Sequence, residues 1–267
     1  MHAASVGKDR FDDTSPGASD WLFAMPGDPM TTMWNRCFMT CLAVRLLCPL
    51  AADGALCQVT SLASSSPCGA PMDCRGWHAL GCGRASMNSR HDRWVELWTR
   101  AAREAGAHAR SEQLATEIGL AEQPPKVRSD IRIEALESPW PLHLDVLVKN
   151  TAHCHEGEWR VLGRGCLVHT AEDDTLTEWN LPAQAEGRLR PITAETQGRW
   201  GPAAVATLRS LAVRSNLDRP WSFGPFLRRW RQRLSVALQL GVARGIFQGC
   251  GGGWPHRPER SPCSGAR

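Results

Sequence analysis

The chain reads as an α/β protein with a small metal-binding loop module ahead of its main domain. Three observations carry this reading. Apolar residues recur at helical spacing after His91. Two strand-like segments, 128–136 and 142–149, flank a turn. Cys and His residues cluster between Cys57 and Cys82 in the manner of metal ligands.

Composition sets the frame. The 267 residues are 42% hydrophobic, enough for a core, and carry a formal charge of +4. Only Lys8, Lys126 and Lys149 are lysines, so the positive charge is nearly all Arg. Arg suits phosphate because its planar fork donates paired hydrogen bonds. A GC-rich coding sequence, which also favours Ala, Gly and Pro, is the other source of such a bias. The 12 Trp and absent Tyr are unusual. No basic region followed by an apolar core opens the chain, which argues against a secreted protein. The longest apolar stretch, 41–50, is broken by Arg45 and too short to span a bilayer. A nuclear or cytoplasmic, reducing setting is expected, where clustered Cys bind metal more often than they pair.

Taken in order, residues 1–32 mix Asp, Ser, Gly and Pro and are expected to be disordered. A module over 33–89 joins a short helix at 33–48 to a loop-rich metal-binding segment. From His91 to Gly106, Trp94, Leu97, Trp98, Ala101 and Ala105 mark one helix face, and Gly106 is a stop signal. Trp94 and Trp98 read as core. Residues 128–136 and 142–149 alternate as strands around the turn Glu137-Ser-Pro-Trp-Pro141, which predicts a hairpin. Residues 150–187 hold no steady period and read as irregular. Their His153-Cys154-His155 triplet reads as a surface loop. Leu189–Glu195 reads as a strand, Pro202–Val213 as a helix opened by Pro, and 224–243 as a second helix. The main domain thus runs over 90–247, and 248–267 forms a disordered Gly/Pro/Arg-rich tail.

Zinc takes four Cys or His ligands at tetrahedral positions. His78 and Cys82, one helical turn apart, form one pair. The other is open between Cys68 with Cys74 and Cys57 with Cys68, the latter enclosing a Ser-rich insertion. Four protein ligands leave no open position, so the zinc would be structural. Free thiols in a Cys-rich chain are the plain alternative.

Asp130 and Asp145 fall on the two hairpin strands, where two carboxylates can converge on Mg²⁺, a hard ion that keeps several waters. Glu112 could add a third oxygen, and Lys149 could orient water. Lys149 lies about 13 Å along the strand from Asp145 at ~3.3 Å per residue. Leu147 fills the nearer position on that face. Solvent-facing strand residues are the plain alternative for both aspartates. Between Arg219 and Phe247 there are six Arg and no acidic residue, so Arg228, Arg229 and Arg231, with Arg90 and His91, are candidate nucleic-acid contacts.

These residues, in this order, resemble the C-terminal region of site-specific non-LTR retrotransposon proteins, especially protist versions. There a Cys-Cys-His-Cys zinc knuckle precedes a restriction-like endonuclease. Arg45-Leu46-Leu47 and Pro49-Leu50 match the segment before the knuckle. Cys57, Cys68, Asp73, Gly76, His78-Ala79-Leu80 and Cys82 match the knuckle. Arg90-His91-Asp92 is similar to an Arg-His-Asn motif that opens a helix, and Ala105-Gly106 and Glu112 follow it. Arg128-Ser129-Asp130-Ile131 and Leu144-Asp145-Val146-Leu147-Val148 resemble the core of the PD-(D/E)xK endonuclease type. Pro191 to Gly198, with Glu195-Thr196, and then Trp200-Gly201 and the Arg-rich helix at Trp230, complete the likeness over about 38–247. The chain departs from the family in its ten-residue gap between Cys57 and Cys68, in lacking Pro before Asp130, and throughout 150–187, where the family has a Lys-bearing helix.

The resemblance implies a restriction-endonuclease-like core with a mixed central sheet flanked by helices. It implies structural zinc, catalytic Mg²⁺ at Asp130 and Asp145, and DNA or RNA as partner. A reverse transcriptase region of the same element would be a further partner. A non-catalytic zinc-containing nucleic-acid-binding module is the alternative, and a decayed mobile-element fragment is another.

Overall fold

The computed structural model describes residues 17–252 apart from 53, 62–63, 83–87, 115–127, 135, 137–139, 156–157, 162–165 and 180–186. The expected C-terminal tail beyond 252 and the first 16 residues lie outside the described residues, as does part of the 137–141 turn.

In chain order, a 3-10 turn at Asp20–Phe23 leads to α1 (Asn35–Arg45), the short ladder β1 (Thr60–Ser61) and β2 (Ser64–Pro67), and α2 (Trp77–Gly81). Next come α3 (Asn88–Glu104), β3 (His108–Leu114), β4 (Arg128–Glu134) and β5 (Leu142–Lys149). The hairpin β6 (Ala152–His155) and β7 (Glu158–Val161) precedes α4 (Cys166–Trp179). The last elements are β8 (Leu189–Glu195), α5 (Pro202–Asp218) and α6 (Phe223–Gly249). The main sheet runs β3-β4-β5-β8, antiparallel at the first two junctions and parallel between β5 and β8. The protein is therefore mixed α/β with a four-strand mixed sheet and six α-helices among the described residues.

Parallel neighbours need a long crossover. The segment between β5 and β8 supplies it, and corrects the irregular reading of 150–187: it holds β6, β7 and α4. The helix was hidden because its buried stripe is only partly apolar. Val168, Ala171, Thr175 and Trp179 are buried together with Glu172. The Glu172 carboxylate accepts hydrogen bonds from Thr193 Oγ1 (2.8 Å) and from the Ala203 amide (3.4 Å) in the first turn of α5. Burial pushes this carboxyl upward, while those two bonds pull it down. A Cβ at Gly201 would collide with the same carboxylate, so close approach requires glycine there.

The core forms where α3 meets the sheet and α6. Trp94, Leu97, Trp98 and Ala101 of α3 are buried against Ile131, Ile133, Leu144 and Ile192, with Leu208, Phe226, Trp230 and Leu234 closing the layer. Trp94 stacks edge-on with Trp98 and Trp200 at centroid distances of 6.0 and 5.8 Å, and its indole N–H donates to Leu234 O at 3.0 Å. Each such indole removes roughly 150–250 Å² from water, so this cluster dominates the apolar driving force. Gly106, at φ 81°, turns the chain off α3 as its sequence position predicts.

The expectation of disorder over 1–32 fails for its described part. Trp21 is buried against α6, Asp20 pairs with Arg231, and Asp28 pairs with Arg233 at 2.7 Å. One buried indole and two ion pairs create no sequence period, which is why composition pointed elsewhere. Helix α6 also outruns its expected end at 243. Its last turns pack Val242 and Ile246 on Leu80 of α2, and Gly249 lies so close to Ala79 that a Cβ would clash. No helix among the described residues is long and apolar enough to cross a membrane.

Candidate metal centre and carboxylate site

Cys57, Cys68, His78 and Cys82 converge so that one ligand atom from each lies within 4.8 Å of the others. Cys57 Sγ is 3.9 Å from Cys82 Sγ, and Cys68 Sγ is 3.6 Å from His78 Nε2. A tetrahedron with metal–sulfur bonds of about 2.3 Å and metal–nitrogen bonds of about 2.0 Å has edges of roughly 3.5–3.8 Å. The donor set therefore fits a metal ion of that size.

Local folding explains the convergence. The Cys57 amide donates to Ala70 O, Gly69 N to Cys57 O and Cys68 N to Val59 O, all at 2.8–2.9 Å. These bonds fold the ten-residue insertion out as a ladder ending in β1 and β2, so its length does not separate the two thiols. Asp73 builds the other half. Its carboxylate accepts from the amides of Arg75 (3.0 Å), Trp77 (3.0 Å) and His78 (2.7 Å), which caps α2 and fixes His78. Burial first, then the neighbouring Cys82 and Cys68 sulfurs, together push the Cys57 thiol up to about 12. A cation at the centre would reverse that logic by holding thiolates.

The alternative first pair is resolved against Cys74. Cys74 is exposed and outside the cluster; its carbonyl accepts from Leu50 N and Ala51 N instead. Arg90 is likewise not free for phosphate. Its side chain is buried, with 8% residual exposure, and Nη2 donates to Leu80 O at 2.8 Å. It ties the first turn of α3 to the end of α2.

The second cluster lies on the sheet. The β4–β5 ladder runs through Ile131↔Leu144, and continuing it places Asp130 beside Asp145. At that point a side chain takes over the pairing: Val146 N donates to Asp130 Oδ2 at 2.6 Å. Burial first, then the adjoining Asp130 and Glu178 of α4, together push the Asp145 carboxyl up to about 7, against the opposing effect of His91.

His91 enters the same cluster from α3. Its Nε2 lies 3.1 Å from Asp130 Oδ2 and its Nδ1 3.1 Å from Asp92 Oδ1. The bond to Asp130 lifts its pKa to about 9 against the opposing effect of burial, with Asp92 assisting. Arg90 and His91, adjacent in sequence, thus serve different sites. The sequence offered His91 only as a nucleic-acid contact. No spacing rule links a helix start to a strand so far along the chain, and Glu178 carried no signal at all.

The other candidates fall as follows. Position 112 on β3 stands across from position 130, between Ser111↔Ile131 and Gln113↔Ser129, and its side chain lies outside the described residues. Lys149 sits at the far end of β5, opposite Glu195 of β8, and is not gathered with the aspartates. Arg229 pairs with Glu104 and Arg231 with Asp20, whereas Arg228 is exposed. The side chains of His153, Cys154 and His155 lie outside the described residues. No family model matches the chain, and no curated protein matches it in sequence.

Proposed function

We propose that this chain is a metal-dependent DNA endonuclease-like domain derived from a retrotransposon, with a structural zinc knuckle packed against it. The observation that supports this most is the meeting of Asp130, Asp145 and His91 at the point where an aspartate side chain replaces the β4–β5 ladder. A fold stabilised by burial alone would not bring two carboxylates together, because like charges at close range destabilise each other. The Asp145 carboxyl is raised by its burial first and by that conflict second.

A divalent cation would relieve the conflict. Asp130 and Asp145 would hold Mg²⁺, which supplies phosphate polarisation and a more acidic bound water. Around it the chain's own groups have distinct tasks. The Val146 amide fixes one oxygen of Asp130, Asp92 orients the His91 ring, and Ile131 and Leu144 keep the two strands rigid behind the acids. Cys57, Cys68, His78 and Cys82 would close around zinc, leaving no position for water, so that metal holds structure and takes no part in the chemistry. The expected partner is DNA, delivered in the cell together with a reverse transcriptase region of the same element.

The test is nicking of supercoiled plasmid by purified protein in Mg²⁺ or Mn²⁺, beside Asp145→Asn and an EDTA control. The expected outcome is metal-dependent nicking that the variant loses. Folded, zinc-loaded protein that binds DNA without cutting it would sink the nuclease reading and leave the binding module in its place.

A further inference from the structure

We infer that Trp221, with Arg219 and Arg228, forms a site for single-stranded nucleic acid, in which a base stacks on the indole and the two arginines hold the neighbouring phosphates. The inference rests on the reading of this chain as a protein that handles DNA, and needs neither metal nor cleavage.

The turn between α5 and α6 carries the observation. Trp221 is the most exposed large apolar side chain among the described residues, at 91%. Its backbone has φ 74°, a conformation that bulky residues seldom adopt. The turn around it is firmly held. Pro220 fixes its own φ. Arg219 N donates to Ser215 O at 3.0 Å, Ser222 N to Arg219 O at 3.1 Å and Phe226 N to Ser222 O at 2.8 Å. The Ser215 and Ser222 hydroxyls lie 3.0 Å apart, and Ser215 and Phe226 are buried. A fixed backbone therefore presents the indole to water. An aromatic held in this way loses little freedom when a flat ligand stacks on it.

Charge selects the ligand. Arg219 and Arg228 are exposed, and neither joins an ion pair among the described residues. The acids near them are engaged: Asp218 with Arg214 at 3.9 Å and Asp20 with Arg231 at 2.9 Å. Arg228 lies about 9 Å along α6 from Ser222, at ~1.5 Å per residue. Between the two, Gly224 and Pro225 are exposed, and a Cβ at Gly224 would meet nothing within 4 Å. A hollow of about 380 Å³ opens there, lined by Gly224, Pro225, Arg228, Arg229 and Gln232. A second, of about 540 Å³, shares Gly224, Arg228 and Gln232 and reaches the exposed Phe23 and Met25.

Cation and apolar face thus alternate along one surface, as phosphate and base alternate along a single strand. A duplex keeps its bases stacked on each other and has no free face for the indole. An apolar protein partner would cover Trp221 but leave both guanidinium groups without a counter-charge.

The experiment measures fluorescence anisotropy without added Mg²⁺, using a labelled oligothymidylate, an abasic strand of the same length and a duplex. Wild type is compared with Trp221→Gly, Trp221→Phe and Arg228→Gln, with thermal melts for folding. Glycine accepts the φ at 221, so the melt of Trp221→Gly should not fall. This variant is expected to bind oligothymidylate about 5- to 100-fold more weakly and the abasic strand and duplex as wild type does. Trp221→Phe should keep most of the affinity. Arg228→Gln should weaken oligothymidylate and abasic strand alike and lower the salt slope by about 0.7. Wild-type affinity of Trp221→Gly for oligothymidylate overturns the inference. So does an equal loss on the abasic strand, and so does an unchanged salt slope in Arg228→Gln. A wild type that binds duplex but no single strand removes the inference and leaves the endonuclease reading in place; one that binds neither removes both.

Discussion

Cys57, Cys68, His78 and Cys82 come from one short stretch and are brought together by backbone hydrogen bonds and the Asp73 carboxylate within that stretch. His91, Asp130, Asp145 and Glu178 come from four elements and meet only because the sheet and its helices have assembled. The metal module is a product of local sequence; the carboxylate site is a product of the fold. The first should therefore fail when its ligand is taken away, and the second when the core is disturbed.

The largest expected effect breaks the first half of that contrast. Purified protein should carry one zinc per chain, and Cys82→Ser or strong chelation should remove it. Structural zinc sites of this donor type contribute on the order of 10 kcal/mol of apparent binding free energy at neutral pH. Loss of the ion should therefore open 57–82 to proteolysis, with a fall in melting temperature of the whole chain through α6. A melt and a digestion pattern unmoved by chelator would show that the four side chains merely pack.

A smaller effect tests the sheet. His143 of β5 is buried beside Ser129 Oγ at 3.0 Å, and burial, with Arg132 and Arg188 nearby, pulls its pKa down to about 4. The unfolded chain takes up this proton near pH 6.5, whereas the folded chain refuses it until about pH 4. Stability should thus be flat above that window and fall as pH drops through it, by on the order of 2–3 kcal/mol. Denaturation of wild type and His143→Asn at a series of pH values measures the difference. Parallel curves for the two proteins would place the acid sensitivity elsewhere.

The smallest effect concerns the N-terminal segment. Asp20→Asn breaks a partly exposed pair with Arg231 and should cost less than about 1 kcal/mol, because solvent screens such pairs. Its more telling readout is DNA affinity, since it frees a guanidinium on α6. A large loss of stability would mean that the segment holds the helix in place rather than merely covering it.

What could be read from the sequence follows the same division. The α3 stripe, the β5 alternation and the Cys/His spacing are local patterns, and each reappears in the structure at nearly its expected bounds. The choice between Cys57 and Cys74 depended on how the Ser-rich insertion folds, which spacing alone does not determine. Helix α4 escaped notice because Glu172 and Thr175 occupy its buried face. Asp20 and Asp28 looked like solvent-loving loop residues because their arginine partners lie more than two hundred positions away. Arg90 looked like a phosphate contact because nothing in the sequence reveals that a carbonyl of α2 already holds it.

That last contact bears on how such a protein can change over generations. Arg90 grips the metal module while its neighbour His91 touches Asp130, and α6 runs beneath both regions. The module is therefore not a cassette that recombination can exchange at the 83–89 junction. A replacement module would have to arrive with its own fit to Arg90, Val242 and Ile246, so a change in one region calls for a matching change in the other.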